Sequence, residues 1–360
     1  MNATPLSNAM NTPLNWRRDV ELAGLTTMEV GGRAQYFCET RSLEALRTSI
    51  RRAVDEGLSL TPLGGGSNVV ISDRGIRGVV LIQRDSAINV TQNGSKTRVY
   101  ATAATPWDEL VRFSVEHDLV GLECLSGIPG MVGAAPIQNI GAYGHELAEC
   151  VTAVDAVDRI NAEPLRFSRA QCEFDYRTSV FKSGLRDRVI VTGIELELEA
   201  GADPELRYPE LMNRFSNKHP SAAQVREKVL EIRRSKSMVW DPSDSNHRSA
   251  GSFFLNPIVE LPRYERVGQI TGTTPPGFRI DERRIKIPAA WLIERAGFSR
   301  GMIRGRVGLS SAHALALINR GGARADELLC FARDIQGKVS ARFGIDLHPE
   351  PVYLGFTDRD

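Results

Sequence analysis

Apolar positions recur at helical spacing through Arg41–Val54, at Leu43, Leu46, Ile50 and Val54. With Ser42 ahead of them as an N-cap, the pattern predicts an amphipathic helix. Short apolar runs at Leu60–Leu63, Gly78–Gln83, Arg98–Ala103 and Val151–Val157 predict strands. In Val189–Leu198, Ile194, Leu196 and Leu198 alternate with Glu195, Glu197 and Glu199, so that strand has one wet face. Thr105-Pro106-Trp107-Asp108 predicts a helix start, with Thr105 as cap, Pro106 in the first turn and Asp108 completing a capping box. Ser221-Ala222-Ala223-Gln224 is a second capping box, and Val225, Val229 and Ile232 follow on one helical face. Near the end, Ala314–Asn319 reads as a buried strand, Asp326–Phe343 as a helix and Ile345–Leu354 as extended chain.

Strands cluster in the middle, helices are scattered, and an αβ unit closes the chain. This is neither regular alternation nor segregation, and it predicts an α+β fold with more than one domain. Asp241-Pro242-Ser243-Asp244-Ser245-Asn246 breaks regular structure and places a boundary within Lys236–Arg248.

Composition adds constraints rather than identity. The 360 residues are 42% hydrophobic and 25% charged, with 45 basic against 44 acidic side chains. A net charge of +1 gives no footprint for nucleic acid and no polybasic membrane anchor. Five widely spaced cysteines without a CxxC pair argue against a disulfide framework or a zinc site. The six histidines show no ligand spacing, so no metal is expected. Residues 1–15 lack the apolar core of a signal peptide and are expected to form a disordered leader. Cys124–Gly144 is an uncharged run of 21 residues, but its five glycines and two prolines make a poor membrane helix and a better buried loop system. A cytoplasmic protein is expected.

Five segments carry candidate chemistry. Gly64-Gly65-Gly66-Ser67-Asn68 follows a short strand and leads back into one at Val69-Val70-Ile71. It is neither a P-loop nor a GxGxxG that opens a helix. Consecutive amides in such a loop can nest a pyrophosphate; alone, the triple glycine reads sooner as a tight surface turn. The second segment, Ser126–Gly144, is nineteen residues of small, turn-forming and amide side chains, suited to wrap something flat and polar-edged or to form a buried Ω-loop. The third, Cys172–Lys182, sets Arg177 among aromatics, either as a surface arginine stacked on Tyr176 or as an anion contact. Two shorter blocks complete the set: Gly251-Ser252-Phe253-Phe254-Leu255-Asn256-Pro257 and His348-Pro349-Glu350-Pro351. The first reads as a bend entering a strand. The second holds a glutamate locked between prolines.

Together these segments resemble the UDP-N-acetylenolpyruvoylglucosamine reductase (MurB) family, over Thr26 to Gly355. The most specific match is Pro136-Ile137-Gln138-Asn139-Ile140-Gly141-Ala142-Tyr143-Gly144. The resemblance implies an FAD-binding domain of the p-cresol methylhydroxylase type, made of two α/β subdomains at 16–80 and 81–237, with 349–360 completing the first. A substrate-binding domain would occupy 238–348. It also implies non-covalent FAD, with Gly64, Gly65, Gly66, Ser67 and Asn68 on the pyrophosphate, Ser126, Gly127, Ile128, Pro129, Gly130 and Gly133 lining the cofactor, and Gln138 and Asn139 beside it. NADPH would be the co-substrate and UDP-N-acetylglucosamine enolpyruvate the substrate, in a monomeric enzyme of cell-wall precursor synthesis. Tyr176-Arg177-Thr178-Ser179-Val180-Phe181-Lys182 matches a motif whose arginine faces the substrate carboxylate. By the same resemblance Ser252 is the proton donor and Glu350 the acidic partner across from Arg177. Lys236 and Asn256 match residues on the UDP phosphates, Tyr143 a pocket tyrosine, and Tyr208 the mobile tyrosine loop of the type I branch. His313 stands where some members have glutamine in the sugar pocket, or else caps the stretch that follows.

Two other readings compete. Another oxidoreductase of the same flavin superfamily, such as an alcohol or sugar oxidase, often carries a histidine joined to the flavin, and no histidine lies in or beside residues 64–68. A non-catalytic FAD or UDP-sugar binder has no need of Arg177, Ser252 and Glu350 together.

Overall fold

The computed structural model describes residues 16–93, 96–215 and 219–357, so the expected leader at 1–15 lies outside the described residues. A four-stranded sheet has the order Arg17–Glu21, Arg33–Thr40, Ile76–Gln83, Leu60–Pro62. Its first pair is antiparallel and the others are parallel. The helix Leu43–Asp55 supplies the crossover, and Ser42 caps it by accepting from the Ala45 N–H (3.1 Å). The buried stripe of that helix is Leu46, Ser49, Ile50 and Ala53, while Leu43 and Val54 face solvent. Ser49 tolerates full burial because its hydroxyl donates to the Ala45 carbonyl (2.9 Å).

The second sheet is antiparallel, in the order Pro164–Ser168, Val151–Asp158, Val189–Ala200, Lys96–Thr102, Ile88–Asn93, with Leu119–Val120 on the far end of the long strand. The alternation read from Ile194 to Glu199 holds. Ile194, Leu196 and Leu198 are sealed in, each contributing about 1.5–3 kcal/mol by burial, and Glu199 is exposed. The helix Trp107–Glu116 packs beneath, with Trp107 Nε1 donating to the Leu125 carbonyl (3.0 Å).

The start of that helix departs from the expected capping box. Pro106 is the N-cap, and no side chain caps it. Thr105 is buried and its hydroxyl donates to the Ala87 carbonyl instead (3.3 Å). Asp108 is drawn off by Arg226, a charged and bidentate partner that a helix amide cannot match, and it also accepts from the Gly127 N–H. The Ser221–Gln224 box forms as expected at the head of Ala222–Ser235, and Val225, Val229 and Ile232 are buried.

The C-terminal region holds two small three-stranded sheets and the helices Leu261–Thr271, Ala289–Arg295 and Ala325–Phe343 around one core. Met28, Val30 and Val70, distant in sequence, insert into the same core. Of the expected strand Ala314–Asn319, only Leu317–Asn319 pairs; Ala314 to Ala316 are buried in a turn closed by the Ala316 N–H on the His313 carbonyl (3.2 Å). Of the extended stretch Ile345–Leu354, Val352–Leu354 forms a strand parallel to Val69–Ile71. That return lays the last segment beside the glycine loop. Among the described residues no helix is long and apolar enough to cross a membrane, and no cluster of three or more His, Cys, Asp or Glu side chains is placed to hold a metal.

Candidate functional site

The glycine loop 64–68 turns between the strands Leu60–Pro62 and Val69–Ile71. Its shape is enforced at Gly66, whose φ is 64° and whose missing Cβ would overlap the Leu25 carbonyl. The second glycine segment lies directly on the first. Ser67 Oγ donates to the Pro129 carbonyl (3.1 Å), and a Cβ at Gly130, where φ is 121°, would come within 2.7 Å of that hydroxyl. Asn68 Nδ2 donates to Gln138 Oε1 (2.8 Å), and the Val352 N–H donates to the Asn68 carbonyl (2.9 Å). Three remote segments are thereby fastened at one point.

The amides of this loop are the telling feature. Among the described residues, the N–H groups of Gly64, Gly65, Gly66, Ser67 and Asn68 donate to no protein acceptor. Five unclaimed donors in a row cost free energy unless water or an anion takes them. Gly64 also leaves room: a Cβ there would meet nothing nearer than 3.9 Å. The donor set and the space fit a pyrophosphate.

Two residues of the long segment are committed elsewhere. Ser126 is fully buried and its hydroxyl donates to the Glu123 carbonyl (2.6 Å), so its side chain does not line an open surface. Asn139 has a φ of 43°. Its Nδ2 donates to Glu146 Oε2 (2.8 Å) and to the Asp175 carbonyl (3.2 Å), and its Oδ1 accepts from the Ala148 N–H (2.9 Å). With these three bonds Asn139 acts as a brace within the protein.

That brace supports Arg177. Asp175 and Thr178 exchange both backbone hydrogen bonds, and the tight turn between them puts Arg177 at φ 54°, rarely populated by non-glycine residues. Its guanidinium donates to the carbonyls of Asn139 (3.2 Å) and Gly141, and Nε lies 3.7 Å from Glu350 Oε1. Lys182, from the same motif, donates to the Arg177 carbonyl (2.9 Å). Burial pushes the Glu350 carboxyl up from the ordinary carboxylate range, against the pull of Arg177 and Lys182. Burial also lowers the Lys182 and Lys286 ammonium groups. Lys286 stands 4.4 Å from the Tyr176 ring centroid.

Ser252 reaches the same place from the C-terminal region. Phe253 and Phe254 are buried edge to face, 5.3 Å between centroids, and anchor the bend at Gly251. The Glu350 N–H donates to the Phe253 carbonyl (2.9 Å), so the peptides next to Ser252 and Glu350 are hydrogen-bonded neighbours. Among the described residues the Ser252 hydroxyl has no protein partner. The structure thus gathers Arg177, Ser252 and Glu350 across 173 residues of sequence separation.

The remaining candidates form a neighbouring group. Tyr143 (φ 52°) meets Tyr208 edge-on at 5.7 Å, and Tyr208 stacks on Phe278 at 6.3 Å. Burial pushes the Tyr143 phenol up to about 12. Lys236 ends the helix Ala222–Ser235 and donates to Glu210 Oε2 (2.6 Å). Asn256 Oδ1 accepts from the Ala289 N–H (2.9 Å), capping Ala289–Arg295. His313 Nδ1 accepts from the Leu315 N–H (3.1 Å), which fixes a neutral ring with its proton on Nε2. Burial, then the charges of Lys236 and Arg300, lowers its pKa.

Sequence reasoning passed over several groups here. Arg233 sits one turn before Lys236, and its Nε is buried with no partner among the described residues. Its signal was the i, i+3 spacing to Lys236 on one helix face. Glu146 and Lys286 gave no local signal, and Asp108 signalled only a helix cap, since only the fold brings them to their partners. A surface groove of about 680 Å³ lined by Pro257–Glu260, Arg263, Arg266 and Gly344–Asp346 contains none of the candidates.

Comparison with known proteins places this geometry. Residues 34–167 match an FAD binding domain, and residues 241–354 match the C-terminal domain of UDP-N-acetylenolpyruvoylglucosamine reductase. The reductase of Thermobifida fusca is 43% identical over 354 residues, covering 95% of this chain and 99% of that protein. That of Streptomyces coelicolor is 39% identical, covering 95% and 91%. The crystal structure of the MurB reductase from Thermus caldophilus superimposes with a TM-score of 0.64 at 25% identity, covering 95% of this chain and 99% of that one. Similarity at this level over nearly the full length of each partner leaves one assignment: the chain belongs to the UDP-N-acetylenolpyruvoylglucosamine reductase family.

Proposed function

We propose that this protein reduces UDP-N-acetylglucosamine enolpyruvate to UDP-N-acetylmuramate, using NADPH and non-covalent FAD, as a monomeric cytoplasmic enzyme of peptidoglycan precursor synthesis. The single observation that carries the reading is the convergence of Arg177, Ser252 and Glu350 next to a loop of five unclaimed amides.

The amides of Gly64 to Asn68 would hold the FAD pyrophosphate, and Ile128, Pro129, Gly130, Gly133 and Gln138 would line the cofactor. Ser126, Gly127 and Asn139 would contribute through backbone and bracing. FAD, when bound, supplies the means to pass a hydride from NADPH to the enolpyruvyl methylene carbon. The residues of the chain handle the charge that this transfer creates. Arg177 faces the substrate carboxylate, where negative charge grows, and its permanent planar cation stabilises it. Glu350, whose carboxyl burial pushes up from the ordinary range, would hold that carboxylate from the other side through hydrogen bonding. Ser252 gives its proton to the neighbouring carbon; a carbanion is basic enough to take it from a hydroxyl. Lys236 and Asn256 would contact the UDP phosphates, Tyr143 and His313 would line the sugar pocket, and Tyr208 would close over the substrate.

The test is direct. The purified protein, NADPH and UDP-N-acetylglucosamine enolpyruvate are mixed without oxygen and the flavin absorbance is followed. Bleaching by NADPH and recovery on addition of the enolpyruvyl substrate are expected. Flavin that NADPH bleaches but the substrate cannot restore would overturn the reading in favour of another flavin oxidoreductase.

A further inference from the structure

Lys236, assigned above to the UDP phosphates, is already occupied. Its ammonium donates to Glu210 Oε2 at 2.6 Å, and the two side chains are 33% and 35% exposed. Glu210 belongs to the four-residue helix Pro209–Met212, directly after Tyr208. Leu211 of that helix is fully buried and fixes it against Val225, Val229 and Ile232. Tyr208 rests between Tyr143 and Phe278. His313 lies within the electrostatic reach of both Lys236 and Glu210, and Arg300 adds positive charge. A carboxylate therefore sits on a lysine, in a cationic corner, on the same short helix as the closing tyrosine.

We infer that Glu210 is a specificity-determining residue, an internal placeholder anion that a nucleoside diphosphate must displace from Lys236. The inference rests on the assignment of Lys236 to the phosphates. A diphosphate carries enough charge to exchange with one carboxylate, whereas an uncharged nucleoside gains nothing at Lys236 and leaves Glu210 in place. The pair is partly exposed, so its strength is modest.

The experiment measures binding of UDP and of uridine to the FAD-loaded protein by calorimetry. Glu210→Gln is expected to tighten UDP about 2- to 5-fold, the equivalent of a partly exposed ion pair, and to leave uridine unchanged. Glu210→Asp keeps the charge but shortens the reach, and is expected to follow Glu210→Gln. Unchanged or weaker UDP binding in Glu210→Gln overturns the placeholder, and so does equal tightening of uridine. If Glu210→Asp follows the wild type, the effect is a field acting through space and the placeholder is again overturned. Lys236→Met separates the two levels. If it loses UDP affinity at least about tenfold while Glu210→Gln gains none, only the placeholder fails. If it leaves UDP binding intact, the phosphate assignment fails with it.

Discussion

Asp108 offers the sharpest test of how the cofactor loop is held. The sequence cast it as a helix cap, but the structure makes it a clamp. One carboxylate oxygen accepts from the Gly127 N–H at 2.6 Å, and both accept from Arg226 at 2.7 Å. Burial alone would raise this carboxyl; the bonds from Arg226 and Gly127, with the charges of Arg226 and Arg233, hold it below the ordinary range. Asp108→Ala orphans the Gly127 amide, and a lost bond to a charged acceptor costs about 1.5–3 kcal/mol. The ion pair adds little, because Asp108 is 40% exposed against 14% for Arg226, so about 0.2–1 kcal/mol is the proper allowance. The sum, about 2–4 kcal/mol, lowers the melting temperature of the FAD-free protein by roughly 4–16 °C, taking the loop-bearing region as a unit of 150–250 residues. If the same energy is needed to restore the loop for binding, FAD affinity falls roughly 30- to 900-fold. Asp108→Asn keeps an acceptor for Gly127 and should lose only the ion-pair share. Thermal melts with and without FAD, and flavin fluorescence on dilution, read both quantities. The pH dependence has a defined sign. A depressed folded pKa gives stability that is present above the unfolded value near 3.9 and is lost as pH falls through the folded one, so wild type and Asp108→Ala should converge in acid below about pH 4. An Asp108→Ala protein that melts like wild type and keeps its FAD would refute the clamp. One that loses stability while retaining FAD would return Asp108 to an ordinary helix residue.

Further outcomes follow from the site. Ser252→Ala should lose about 10²- to 10⁴-fold in flavin reoxidation by substrate and keep flavin reduction by NADPH, with Ser252→Cys between them; stopped-flow absorbance of each half-reaction decides, and equal loss in both would make Ser252 a structural turn residue. Tyr208→Phe should weaken substrate binding more than it slows reduction by NADPH, as a closing loop demands; matched damage to the two would count against a lid. Acid precipitation should release all flavin into the supernatant, since no histidine lies in or beside residues 64–68; flavin retained in the pellet would contradict non-covalent binding.

By itself the sequence determined whatever depends on neighbours along the chain. The Ser42 and Ser221 caps, the wet and dry faces of Val189–Leu198 and the glycine turn at 64–68 all follow from periodicity, capping chemistry and backbone freedom within a few residues. The motif blocks around Arg177, Ser252 and Glu350 were legible too, each as a candidate with a plain structural alternative. Only the tertiary structure decided which alternative held. The Asp108 carboxylate turned from the helix cap to Arg226 and Gly127 because a bidentate guanidinium outcompetes one local amide. Asn139 became a brace for the Arg177 turn, because a buried amide must satisfy its donors and acceptor where the fold offers them. Most of all, the strand Val352–Leu354 returned beside Val69–Ile71 and carried Glu350 to within 3.7 Å of Arg177. Strand pairing across more than 280 residues leaves no periodic trace in sequence, since its hydrogen bonds are made by backbone that every residue carries alike.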